Sequence, residues 1–198
     1  MSSTKSTLIA AAFAVACMAT PSAAQGISHM KTGSITSQPI GHAMFCQQLP
    51  QECSVRSASS KAPKLTRERW NDLVEVNNFA NFTIEPVTDQ EGYGVEEHWT
   101  YPRTFGDCED YVLLKRFMLL QRGWPESSLL ITVVKQPNGD GHAVLTVRTS
   151  RADYVLDNLQ TKILPWNKTR YRFLKRQSDQ HTGKWARIYD NRRQVASY

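Results

Sequence analysis

The chain has 198 residues, 40% of them hydrophobic and 10% aromatic, with 24 Lys and Arg against 18 Asp and Glu and a formal net charge of +6. This is enough apolar mass for one core and a length typical of one domain, which excludes a disordered or collagen-like chain. The charge excess is too small and too dispersed to mark a nucleic-acid binder, and no nucleic-acid partner is expected.

Residues 1–24, MSSTKSTLIAAAFAVACMATPSAA, run from a single Lys5 through an apolar stretch, Leu8 to Met18, to Pro21 and the small residues Ser22, Ala23 and Ala24. That is the order of a secretory signal peptide, and the stretch falls short of the ~20 residues of a spanning helix. Cleavage is expected after Ala24, with delivery to the periplasm or beyond. No other segment is long and apolar enough to cross a bilayer. Residues 25–64 are rich in Ser, Gly, Pro and Gln with weak periodicity, and read as an extended lead-in. Within it Cys46 and Cys53 bracket FCQQLPQEC, where Pro50 turns the chain back, so the two are expected to form a disulfide that ties the lead-in down. With Cys17 lost in the signal, Cys108 is left unpaired in an oxidising compartment.

Residues 65–198 read as the main domain. Thr66 caps a predicted helix, RERWNDLVEVNNFANF, with Trp70, Leu73, Val74 and Asn77 on one face. Residues 85–105 form a connection with Pro86, Gly92, Gly94 and Pro102, carrying Tyr93, Trp99 and Tyr101. A second helix, CEDYVLLKRFMLLQR, starts at Asp107 and stops at Gly123 and Pro125; it is apolar almost all round, as expected of a helix buried within a domain. Strands are predicted at Leu129–Lys135, His142–Arg148 and Tyr154–Leu156, separated by QPNGDG and TSRAD, and again at Tyr171–Lys175 and Lys184–Tyr189. A central helix followed by consecutive antiparallel strands is an α+β arrangement.

The chemistry falls where the second helix begins. Asp107 suits the N-cap and Asp110 can complete a carboxylate capping box, placing Cys108 at the first helical position. There the helix dipole and unpaired N–H groups favour thiolate. The acidic flanks Asp107, Glu109 and Asp110 are too polar for an inert buried thiol. Of five histidines only His142, following Asn138-Gly139-Asp140-Gly141 at the head of an apolar strand, has the setting of a rigid base. A hairpin centred between Thr149 and Ser150 would put His142 opposite Asp157, with Cβ atoms roughly 4.5–5.5 Å apart, so that the carboxylate orients the imidazole. Trp99 and Tyr101 either line the cleft or pack in the core. Residues 160–198 hold ten Lys and Arg against Asp179 and Asp190. That excess is either a solvated sheet edge or a contact for anionic lipid or an acidic partner.

GDCEDY at 106–111, HAVL at 142–145 and LDN at 156–158 resemble the bacterial transglutaminase-like cysteine peptidases, exported proteins of the papain/transglutaminase superfamily. VNNFAN at 76–81, YGVEEHW at 93–99 with Pro102, and the cysteine pair at 45–53 extend the resemblance. It implies a papain/transglutaminase-like fold, a central helix carrying the nucleophile packed on an antiparallel sheet. It also implies a catalytic triad of Cys108, His142 and Asp157 that hydrolyses peptide or amide bonds of an envelope or surface protein through a thioester. The best-understood relatives are periplasmic, calcium-dependent endopeptidases that clip surface adhesins under a cyclic-di-nucleotide receptor. By that resemblance calcium would lie on Asp107 and Glu109, and a regulatory inner-membrane receptor would be a partner. Two adjacent carboxylates supply too few of the ~6–8 oxygens calcium takes, and capping is a competing task for Asp107. The chemistry itself requires no cofactor. Two other functions fit the same residues: transglutaminase-type acyl transfer, if an amine replaces water, and a non-catalytic binding module on the same fold.

Overall fold

A computed structural model describes residues 29–58 and 61–192. The signal peptide expected over 1–24, with Cys17, lies outside the described residues. The elements in chain order are β1 (Thr32–Thr36), α1 (Ile40–Gln48), α2 (Pro50–Cys53), α3 (Arg67–Thr83), β2 (Glu85–Pro86), α4 (Asp89–Tyr93), β3 (Phe105–Gly106) and α5 (Cys108–Gln121). Then come β4 (Leu129–Lys135), β5 (Gly141–Arg148), β6 (Asp153–Leu156), β7 (Leu164–Pro165), β8 (Arg172–Ser178) and β9 (His181–Ile188). Seven strands form one antiparallel sheet in the order β1-β9-β8-β4-β5-β6-β7, and β2 and β3 make a short parallel pair. The α+β reading holds.

Each face of the sheet has its own core, as strict alternation along the strands requires. On one face Ala143, Leu145 and Val147 of β5 pack with Leu73 and Val76 of α3 and Val112, Leu113 and Leu119 of α5. The other face buries Val134, Val144, Val155, Trp166, Tyr171 and Phe173. In α3, Thr66 Oγ1 accepts the Arg69 N–H, the expected cap. Its buried residues are Leu73, Val76, Asn77 and Ala80. Val74, expected on that face, is only half-buried. The buried set 73, 76, 77, 80 keeps the 3-1-3 spacing of the expected set but starts three residues later, turning the buried face away from Val74. α5 is buried as predicted, but not by apolar residues alone. Phe117 is exposed, whereas Lys115 and Arg116 are buried.

The segment expected as an extended lead-in is part of the fold. β1 pairs with β9, and α1 and α2 pack beside it through the predicted Cys46–Cys53 disulfide. α1 has little amphipathic contrast for sequence periodicity to detect, and it is held by particular contacts. Buried His42 receives the Trp185 indole N–H on Nδ1 at 3.2 Å and meets Gln177 Nε2 at 3.2 Å. Burial, with Arg116 adding to it, lowers its pKa to about 4 and keeps it neutral. A Cβ on Gly41 would meet Trp99 Nε1 at 2.3 Å, so only glycine lets α1 approach this closely.

The 46–53 loop is short, so its closure should stabilise the fold by about 2–3 kcal/mol. Cys46→Ala/Cys53→Ala is expected to unfold at correspondingly lower urea. An unchanged urea midpoint would mean that the staple does not hold α1 and α2 in place.

Candidate active site

Three elements converge at one end of the sheet. α5 begins at Cys108, with Asp107 as its N-cap residue. β5 presents His142 at its second position, and Asp157 follows the last residue of β6. Leu145 pairs with Leu156, Thr146 with Val155 and Arg148 with Asp153. The hairpin is therefore centred between Ser150 and Arg151, one position later than expected. Thr149 sets the turn: its Oγ1 donates to Ala152 O and accepts from the N–H groups of Arg151 and Ala152. His142 is consequently not directly opposite Asp157 but diagonal to it. A two-residue change of register keeps every side chain on its own face, so the pair still meets. His142 Nε2 lies 2.8 Å from Asp157 Oδ1, with both side chains almost fully buried.

Asp157 is built as an acceptor. Oδ1 also takes the Leu159 N–H at 3.0 Å, Oδ2 takes the Tyr171 hydroxyl at 2.5 Å, and its backbone carbonyl accepts Asn81 Nδ2 at 2.8 Å. Burial alone would raise its pKa, but the bonds from His142, Tyr171 and Leu159 hold it below the ordinary value. A carboxylate in this setting makes Nε2 the protonated ring nitrogen and leaves Nδ1 as the acceptor. The ring also packs against Tyr171, with centroids 5.5 Å apart.

Cys108 is unpaired and partly exposed. Its sulfur accepts the N–H of Ala143, next to His142, at 3.3 Å and donates to Glu109 Oε2 at 3.3 Å. Among the described residues no hydrogen bond joins the sulfur to the His142 ring. The helix start does not favour thiolate as expected. Burial, the Glu109 and Asp107 carboxyls and the bond to Glu109 push the thiol well above its usual range, against the Ala143 N–H. The capping box is also absent. Asp107 makes no side-chain cap; its Oδ2 accepts the Asp89 N–H, and Asp110 Oδ1 accepts Thr100 N–H. Both carboxylates are drawn away from the helix by the loop before it.

That loop builds an acidic cluster larger than the expected pair. Asp89, Asp107 and Asp110 bring one carboxylate oxygen each to within 4.8 Å of one another, and a carboxylate oxygen of Asp107, one of Glu109 and the Cys108 sulfur are as close together. Asp89 Oδ1, Asp107 Oδ1 and Asp110 Oδ2 are buried with no hydrogen-bond partner among the described residues. Asp110 is raised to about 8 by burial, with Asp107 and Asp89 adding to it. Glu109 is raised by burial and by Asp107. Asp89 is raised by burial, although the His98 N–H that it accepts works against this. The glycine of GDCED serves this cluster, since a Cβ on Gly106 would meet Asp110 Oδ2 at 2.6 Å.

Trp99 is buried in the core with its ring on His42, and its indole N–H goes to Glu97 Oε2. Tyr101 stacks edgewise on Phe45 and Phe117, packed against that core. Sequence reasoning missed Tyr171, Asp89, Asn81 and Lys115. The first three are remote from the motifs they serve, with no spacing to reveal them. Lys115 had a signal, a lone cation on the buried stripe of α5. It is fully buried, its Nζ has no hydrogen-bond partner among the described residues, and it lies 5.7 Å over the Tyr111 ring. Burial lowers its pKa to about 7, with Asp157 opposing the shift.

The sequence profile described as "bacterial transglutaminase-like cysteine proteinase BTLCP" matches residues 32–193. Comparison with curated proteins finds no match. Among solved structures the chain is similar to calcium-bound Legionella pneumophila LapG, at 23% identity over 67% of this chain and 82% of that one, with a TM-score of 0.49. The EGTA-treated LapG aligns at 23% identity over 71% and 75%, with a TM-score of 0.48. A further LapG structure aligns at 22% identity over 71% and 75%, with a TM-score of 0.46.

Proposed function

We propose that this chain, which belongs to the bacterial transglutaminase-like cysteine proteinases, is an exported endopeptidase that cuts an envelope or surface protein with Cys108, His142 and Asp157. The observation that carries the triad is the buried His142–Asp157 pair, with the Cys108 sulfur held on the very next backbone N–H. Export rests on the signal-peptide pattern of residues 1–24.

In this reading His142 Nδ1 takes the Cys108 proton, and Asp157 stabilises the imidazolium through Nε2–H. The sulfur attacks the scissile carbonyl carbon. Its oxygen becomes an oxyanion facing the start of α5, where the Cys108 N–H is available. The imidazolium returns its proton to the leaving amine, and a thioester to Cys108 remains. Water, deprotonated by His142, cleaves that thioester and releases the carboxylic acid product.

The acidic cluster fits a hard divalent cation, calcium by the donor set. Its ligands are carboxylate oxygens, three of them buried with no hydrogen-bond partner among the described residues. Asp89, Asp107 and Asp110 would hold it, with Glu109 adjoining. Such a cation supplies positive charge beside the thiol, countering the carboxylates that keep it protonated. Binding must displace the protons those acids hold, so affinity should rise with pH. Calcium, relative to EGTA, is expected to raise the melting temperature more at pH 8 than at pH 5. An equal shift at both pH values, or none, would remove calcium from this cluster.

The function itself is tested by comparing envelope proteins from cells with the wild-type and the Cys108→Ala chain by mass spectrometry. New protein termini confined to the wild type are expected. Identical termini in both, with no Cys108 alkylation by iodoacetamide at neutral pH, would leave a binding module instead. An inner-membrane receptor as regulator rests on the family resemblance, and co-purification from membranes would test it.

A further inference from the structure

The basic excess of residues 160–198 does not form one face. Arg176 is buried on Asp153, and Arg192 binds Asp190 and lies 4.6 Å over Trp166. Lys175 donates to Ser37 O, and exposed Lys184 shares a separate pocket with Arg56. Another set of cations lies together elsewhere. Lys162, Lys168 and Arg170, all exposed, line a groove of about 340 Å³ whose lining also includes Val155, Leu164, Asp157 and Tyr171.

This groove adjoins the residues that support the base. Asp157 and Tyr171 line it, and Asp157, bonded to both His142 and Tyr171, holds the His142 ring, so a chain lying in the groove passes against the pair behind the imidazole. Asp157 is its only lining acid among the described residues. That carboxylate is almost fully buried, and both its oxygens are taken by internal donors. What the groove offers a visitor is therefore apolar surface between cations. Clefts lined by one sign of charge concentrate ligands of the other.

We propose that this groove is a substrate subsite that receives an acidic stretch of the polypeptide being cut, its Asp or Glu side chains on Lys162 and Lys168. The subsite rests on the endopeptidase reading, and it narrows the substrate to proteins with an acidic stretch beside the cleaved bond. Exposed ion pairs are individually weak and screened by salt. Selectivity comes from several acting together.

The test uses the full chain with calcium and a library of random decapeptides, with new termini read by mass spectrometry. Wild type should cut peptides enriched in Asp and Glu on one side of the bond. In Lys162→Glu/Lys168→Glu the ratio of kcat/KM for acidic over neutral peptides should fall about tenfold, and 0.5 M salt should lower it in the wild type. Cleavage without acidic enrichment, or enrichment kept by the double variant, overturns the subsite. If nothing is cut, the endopeptidase reading fails, and the groove is then judged by fluorescence anisotropy of a labelled Glu-rich decapeptide on Cys108→Ala. Binding lost in the same double variant upholds an acidic-peptide site, and no binding overturns it. Co-sedimentation with phosphatidylglycerol vesicles that depends on Lys162 and Lys168, without acidic selectivity for peptides, overturns it in favour of a membrane contact.

Discussion

A Cys108→Ala variant is expected to lose hydrolysis by about 10⁴-fold or more while remaining folded. In the proposed triad the Cys108 sulfur, a free thiol held on the backbone N–H next to His142, is the attacking group. Glu109 is adjacent, but burial and Asp107 keep it protonated and so poorly nucleophilic. The structural cost is small. The substitution removes one sulfur-accepted bond from Ala143 N–H, worth about 1 kcal/mol, and also removes a half-buried thiol crowded by acids. Urea unfolding alongside a peptide cleavage assay checks both halves. Wild-type activity in this variant would exclude the thioester route.

Asp157→Asn is expected to lower kcat by about 10²–10⁴ with little change in KM. The carboxylate accepts from His142 Nε2, the Leu159 N–H and the Tyr171 hydroxyl, a site made wholly for an acceptor. An amide must turn its NH₂ toward one of those donors. Facing His142, it would move the ring proton to Nδ1 and block uptake of the thiol proton. Facing Tyr171, it would keep the tautomer but forfeit the negative charge that steadies the imidazolium. The low-field ring N–H proton in NMR should shift or vanish in the variant. A normal kcat would show that His142 needs no charged partner.

The parts of the molecule written in local periodicity could be read from the chain. The cap at Thr66, the stop of α5 near Gly123 and the extents of β4 and β5 depend on neighbours within a few residues, and each lies where expected or within a residue of it. What depended on distant pairings was only partly legible. β1 is a short edge strand with mostly exposed side chains, recognisable only beside β9. The β5–β6 register turned on how Thr149 folds its own turn, yet the period of two preserved the meeting of His142 with Asp157. The charge state of Cys108 was read from its helix position alone. The outcome was decided by burial and by carboxyls gathered around it. Asp89 joins those carboxyls from 18 positions before Asp107, a proximity that no local motif could announce.

The pairing of β1 with β9 has a consequence for how the molecule is made. Thr36 lies against Trp185, so the sheet edge is closed by strands about 150 residues apart, and loop closure over such a span is slow. α1 and α2 dock on the same edge, with Trp185 bonded to His42. β1, the earliest of the described strands, thus finds its partner only after about 150 further residues have been made. Until then β1 is an unpaired ribbon, the stage at which this protein is most exposed to misassembly and most in need of a chaperone's cover.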